Sequence, residues 1–388
     1  MKKLFTRCQP ATLTIRANSL FAIGLLIATI FTGCRKNFSP PCDDGYFANG
    51  KNKNHLTIVR NGSSIQAAVD AANPGEIIFI EPGIYNETII VNKPGIQLEG
   101  YECDLRRQVI IQNPGDAKNG ITVQDNGDGF VLKNVTVRDF KQNGVLLTHV
   151  DHFLLYHVTA INDGAYGLFP VFCTNGVVEY CSATGHDDTG IYVGQSDSVL
   201  MQYNVAYGNV NGLEVENSRN VAVYKNHSYD NVAGLLVILL PGLTIKTASG
   251  VSVTENNFEN NNHVNFGDPA DGFEALVPTG TGILNVGADN VTIKHNKISN
   301  NHFTGIATVS DLVLGALAGL PPGAFADIDP NPDNSKVTDN LLVNNGTLPP
   351  AGLPLPGVDL LWDGSGTNNC WKNNTYSTSY PSPLPVCN

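Results

Sequence analysis

Basic residues are scarce: 23 Lys and Arg stand against 35 Asp and Glu, for a formal net charge of −12. No Lys or Arg occurs from residue 142 to residue 218. So acidic a chain repels nucleic acid and bare polyanions, and a polyuronate ligand needs a bridging cation or a favourable local groove. Only 2 methionines are present, which leaves almost no soft ligands for copper. The 8 cysteines form no CxxC pair and the 9 histidines no His-x-His pair, so zinc and haem chemistry is not indicated. The apolar run FAIGLLIATIF is too short to span a bilayer comfortably.

That run has a different use. Lys2, Lys3, Arg7 and Arg16 precede it, and it ends in Phe31-Thr32-Gly33-Cys34. A charged start, a short apolar stretch and small residues form an export signal. The ending resembles the bacterial lipobox, with Phe31 where Leu is usual, and the resemblance implies a lipid on Cys34. We therefore expect a lipoprotein signal at 1–33, a tether at 34–54 and one folded domain at 55–388. Removing residues 1–33 takes away four positive charges and no acids, so −12 becomes −16. The expected location is extracytoplasmic, lipid-anchored to the cell envelope, with the outer membrane favoured. Setting aside Cys8 and Cys34, six cysteines remain in an oxidising compartment. Proximity favours the pairs Cys42–Cys103, Cys173–Cys181 and Cys370–Cys387 among the possible pairings.

What is abundant is glycine, 39 residues, and it recurs in register. Gly120-Ile121, Gly144-Val145, Gly167-Leu168, Gly190-Ile191, Gly212-Leu213, Gly234-Leu235, Gly282-Ile283 and Gly305-Ile306 follow one another at intervals of 24, 23, 23, 22, 22, 48 and 23 residues. Such a period suits three short strands and three turns per coil, and the LxxLxLxxN signature of leucine-rich repeats is missing. A second column, Asn204, Asn226, Asn256, Asn296 and Asn340, follows strand-like runs such as VAVYKN and VTIKHN. Stacked asparagines hydrogen-bond from coil to coil, as side-chain ladders do in cross-β structure. The two columns predict an all-β, right-handed parallel β-helix with three strands per coil. Stretches that exceed the repeat, 239–249, 263–281 and 310–333, are Pro- and Gly-containing loops that either form one side of a groove or pack down on the wall. SSIQAAVDAANPG predicts an amphipathic helix over the first coil, with Ser63 or Ser64 as N-cap and Ile65, Ala68, Val69 and Ala72 on one face.

The stretch SIQAAVDAANPGEIIFIEPGIYNETIIVNKPGIQLEG resembles the opening of pectin-lyase-like parallel β-helix proteins. YGLFPVFCTNGVVEYCSATGHDDTGIYVGQ, continuing into NVNGLEVENS, resembles the bacterial parallel β-helix repeat lipoproteins. The resemblance covers roughly residues 55–345. It implies the fold and leaves the reaction open.

Side chains alternate along a strand, so the residue two after each column glycine faces out. Thr122, Leu146, Phe169, Tyr192, Glu214, Leu236, Leu284 and Ala307 then form an outward stripe, with coils about 4.8 Å apart. Glu216 shares the face of Glu214, about 6.6–6.8 Å along the strand. Gln195 and Asn217 lie at the adjacent corner. Asp163 and His186 hold one offset in successive coils, and Tyr166, Asp187 and Asp188 sit in the same turns. Tyr166, His186, Asp188, Tyr192, Glu214 and Glu216 are the candidate acid–base set, and Phe169, Gln195, Asn217 and Asp163 the candidate ligand contacts. Asp187, Asp188, Glu214 and Glu216 also offer the hard oxygens calcium takes. No other cofactor is indicated. Pectate lyases resemble one another in using a basic side chain with calcium, and polygalacturonases in three aspartates with Arg-x-Lys. This chain offers GHDD at 185–188 with no basic partner.

Aromatic faces beside carboxylates and amides suit a sugar chain. The leading expectation is a cell-envelope protein that binds a polysaccharide, with lyase, epimerase or glycoside hydrolase chemistry left open. The alternative is a non-catalytic scaffold that docks an envelope protein partner.

Overall fold

The computed structural model describes residues 56–101, 108–269 and 272–388. The signal, the tether, Cys34 and the Cys42–Cys103 pair lie outside the described residues. The described strands form three parallel sheets of 12, 10 and 11 strands. Each coil gives one strand to each sheet in turn. One coil runs through Leu154–Tyr156, Thr159–Ile161 and Tyr166–Val171. The first two strands are short because a left-handed residue turns the chain after each, here His157 at φ 52° and Asn162 at φ 53°. This is a right-handed parallel β-helix, as the repeat predicts.

The glycine column has a steric cause. A Cβ on Gly167 would lie 2.5 Å from the Gly190 carbonyl and 2.7 Å from His186 Nε2, and one on Gly190 would lie 2.8 Å from Asn209 Nδ2. From Gly120 to Gly282 each column glycine thus lies under the next glycine's carbonyl and under a side chain of the interior. The residue after it points inward and is buried, from Ile121 through Val145, Leu168, Ile191 and Leu213 to Ile306. Paired register keeps these residues stacked, as in Val145 on Leu168 and Leu168 on Ile191.

The asparagine column is a ladder. Asn226 Oδ1 accepts from the backbone N–H of Asn204 at 2.9 Å, and Asn256, Asn296, Asn340 and Asn374 repeat the bond coil by coil. A second ladder runs five residues further on, through Asn209, Asn231, Asn261, Asn301 and Asn345 to Asp359.

Two expectations are corrected here. Cys173 and Cys181 are free and buried, not bonded. They occupy ladder places at opposite ends of the strand Val177–Glu179: the N–H of Cys181 bonds Asn204 Oδ1 and that of Cys173 bonds Ser196 Oγ. The intervening strand holds their backbones apart, and a disulfide tolerates only about 7 Å between Cα atoms. Burial pushes both thiols up to about 12, which leaves them inert. Cys370 and Cys387 are bonded as expected.

The second correction concerns the outward stripe. Leu236, Leu284 and Ala307 are buried, because the inserts build an apolar layer on the outside of the 11-stranded sheet. Val277 and Phe273 come from one insert and Leu314 and Leu317 from another. Leu353 and Leu355 come from a further stretch, 346–357, that the repeat did not single out. The 310–333 insert is partly helical, Asp311–Leu317 with Ser310 as N-cap. Lys246 pairs with Asp327 and ties two inserts together. At the other end, the expected helix is present at Ile65–Ala71 with Ser64 as N-cap, burying Ile65 and Val69.

Candidate functional site

Three successive strands of the 11-stranded sheet, Tyr166–Val171, Thr189–Gly194 and Asn211–Glu216, carry the candidate groups. Tyr192 and Glu214 are register partners, side by side as expected. They are not open to solvent: Tyr192 is 3 %, Glu214 1 % and Glu216 8 % exposed. Glu274, delivered by the 263–281 insert, interacts electrostatically with Tyr166, Asp188, Glu214 and Glu216. Sequence spacing carries no signal for Glu274, since its position is set by how the insert folds back.

The oxygens form two hydrogen-bonded groups. Tyr192 donates to Glu216 Oε1 at 2.6 Å, and Tyr166 bonds Asp188. Thr189 Oγ1 bonds Asp188 Oδ1 at 2.9 Å and also donates to Glu214. Asn211 Nδ2 reaches Glu214 Oε2 at 3.3 Å. Thr189 and Asn211 were missed, although both immediately precede column glycines and share the register of Tyr166. No Lys, Arg or His is among the groups that perturb this set.

Burial of Asp188, Glu214 and Glu216 beside one another favours their protonated forms. Desolvation, then Glu274, raises Asp188 well above the carboxylate range; desolvation, then Asp188, does the same to Glu214. Desolvation also raises Glu216, but the Tyr192 hydroxyl stabilises its charged form and it settles at about 7. Glu214 is therefore held in its protonated form, and Glu216 ionises more readily. Beside them Tyr166 and Phe169 stack with centroids 4.1 Å apart, and Tyr192 leans on both at 5.1 and 4.6 Å. Tyr166 and Phe169 are only half-buried.

The other candidates are placed elsewhere. His186 and Asp163 face the interior, where they stand in the second ladder: Asp163 Oδ1 accepts from the N–H of Phe140, and the N–H of His186 bonds Asn209 Oδ1. Both are 0 % exposed, and burial lowers His186 to about 4, so it is no base for a ligand on the outer face. Gln195 and Asn217 spend their amides on the 240–245 segment: Gln195 Oε1 accepts from Thr244 and Ile245, and Asn217 binds Leu240 and Ile245. Asp187 is half-buried at the corner. Among the described residues no group of three His, Cys, Asp or Glu side chains is arranged to hold a metal ion.

Residues 119–239 match the family described as Right handed beta helix region. Among curated proteins no sequence relative matches. The A-module of a mannuronan C-5 epimerase from Azotobacter vinelandii is similar at 14 % identity and TM-score 0.59, over 83 % of this chain and 92 % of that one. A DFA-IIIase from Arthrobacter chlorophenolicus A6, in complex with GF2, is similar at 12 % identity and TM-score 0.57, over 86 % and 90 %. A GH136 lacto-N-biosidase from Eubacterium ramulus is similar at 12 % identity and TM-score 0.52, over 83 % and 68 %. At these identities the likeness is one of fold.

Proposed function

We propose that this protein binds a polysaccharide along the outer face of its 11-stranded sheet and cleaves it by acid–base glycoside hydrolysis. The observation that carries the reading is the divergence of Glu214 and Glu216: two carboxyls on one strand, one held protonated and one near 7. Glu214 gives its proton to the departing glycosidic oxygen, and the Glu216 carboxylate takes one from the attacking water. Their i, i+2 spacing of about 6.6–6.8 Å fits the lower end of the roughly 6.5–9.5 Å range of inverting enzymes. The partly exposed Tyr166–Phe169 stack offers a platform for a sugar face. Lyase or epimerase action on a uronate is less well supported, because no Lys, Arg or His to meet the substrate carboxylate is among the groups that act on the site. Names such as mannuronan epimerase and lacto-N-biosidase among the fold neighbours support a carbohydrate partner.

A glycan-array screen followed by reducing-end and unsaturated-product assays tests this. Glu216→Gln is expected to keep binding and lose turnover by about 10²–10⁴-fold, the usual worth of a general base. Glu216→Gln and Glu214→Gln variants that both cleave like wild type would overturn the assignment. If wild type binds a glycan without cleaving it, the reading reduces to a binding protein. If it binds none, the scaffold that docks an envelope protein takes its place, a reading favoured by the closed apolar cover.

We also infer that residues 1–33 direct export and that Cys34 carries the lipid anchor. The Thr-Gly-Cys ending and the Cys370–Cys387 disulfide, a bond of oxidising compartments, support this. Cys34→Ser is expected to move the protein from the membrane to the soluble extracytoplasmic fraction; full retention in the membrane would refute the anchor.

A further inference from the structure

We propose that the inserts over the 11-stranded sheet are a pH-operated cover, held closed by uncharged carboxyl groups buried between them and the wall and lifted when those groups ionise. Two separate places in the cover carry this. The first is the set of oxygens above, where Asp188, Glu214 and Glu216 on the wall meet Glu274 on the insert. The other titratable groups facing it are Tyr166 and Tyr192, from the strands themselves. On the insert side, His263 and Asp268 are exposed, and His302 packs beside Gly280 at the insert's end.

The second place is Asp311, at the start of the next insert. It is 0 % exposed, and neither carboxyl oxygen has a hydrogen-bond partner. Its Oδ2 lies over Gly287, 2.0 Å from where a Cβ would stand, and its N–H bonds the Pro330 carbonyl at 2.8 Å. The charged groups around that corner are otherwise engaged. Lys246 and Asp327 pair with each other, Asp363 accepts from Ser310 and Ser365, and Asp289 accepts from the N–H of Asp333. Between these two places the cover is held by apolar contacts, Val277 and Leu314 on the layer of Leu236, Leu284 and Ala307.

Charging a carboxyl in so dry a layer is unfavourable unless water reaches it. Lifting the insert supplies that water at the loss of the apolar contacts. The closed form binds more protons than the open form, so closure is complete near the ordinary carboxylate pKa. It weakens as pH rises through about 7, where Glu216 ionises, and about 9, where Asp311 does. The device goes beyond the reading of the site as a hydrolase and holds whatever the wall binds.

Hydrogen exchange of the full chain at pH 6 and pH 9.5, corrected for the intrinsic pH dependence of exchange, tests it without any ligand. Residues 272–280 and 311–328 are expected to exchange at least about 10-fold faster at pH 9.5, with the two asparagine ladders unchanged. In the double variant Glu274→Gln, Asp311→Asn, the acceleration is expected to shrink or vanish. Inserts equally protected at both pH values overturn the proposal. So does a uniform loss of protection across all coils, which would mean global unfolding. Loss of cleavage in a chain whose inserts still respond to pH would count against the hydrolase reading alone.

Discussion

Asp163→Asn is expected to stabilise the protein, by about 5 kcal/mol above pH 8 and by little near pH 4. Asp163 occupies a ladder position that later coils fill with Asn, yet its Oδ2 has no hydrogen-bond partner and abuts the space beside Gly144. Burial raises it from 3.8 to about 8, against the opposing bond from the Phe140 N–H. Between these values the folded chain holds a proton that the unfolded chain has released. Stability from this group is therefore full below about pH 4 and falls by about 1.4 kcal/mol per unit as pH rises towards 8. His186 acts with the opposite sign. Lowered from 6.5 to about 4, it removes stability as pH falls through that window. The two slopes oppose one another between about 4 and 6.5, and the Asp163 slope stands alone above that. An asparagine carries no charge and supplies the Nδ2 donor that Asn209 gives to the Ala183 carbonyl, the corresponding acceptor one coil back being Val137. Urea unfolding of both proteins at pH 4, 6.5 and 9 checks this, and a variant weaker than wild type at pH 9 would refute it.

Asn256→Ala is expected to cost about 4 kcal/mol. The Asn256 side chain donates to the Val223 carbonyl at 2.9 Å and to Asn296 Oδ1 at 2.9 Å, and its Oδ1 accepts from both nitrogens of Asn226 at 2.8 and 3.0 Å. Alanine strands those groups in a dry interior, and each unsatisfied one costs roughly 1–3 kcal/mol. The midpoint of urea unfolding should shift with an unchanged slope. A shift equivalent to less than about 1 kcal/mol would mean the neighbouring rungs close the gap.

The repeat was legible because every coil solves the same packing problem. The glycine column marks where one coil's interior side chain meets the next coil's backbone, and the asparagine column marks a corner that must satisfy buried amides. The second ladder was equally legible: Asn204 and Asn209, Asn226 and Asn231, and Asn256 and Asn261 all stand five apart. Asp163 and His186 belong to that ladder, so their shared offset marked an interior corner and not an acid–base pair. The even cysteine count misled for a similar reason, since Cys181 stands where later coils carry Asn204 and its successors.

Sequence by itself determined the coil: which residues turn inward, which stack, and that Tyr192 and Glu214 lie side by side on the outer wall. Tertiary structure alone decided whether that wall meets water. Outwardness is a local property, fixed by strand alternation and register. Burial of an outward group depends on a segment remote in the chain folding back over it, as the Glu274 segment does here. The same covering removed water from the carboxyls, and so turned an acidic surface stripe into a buried set whose pKa values are raised.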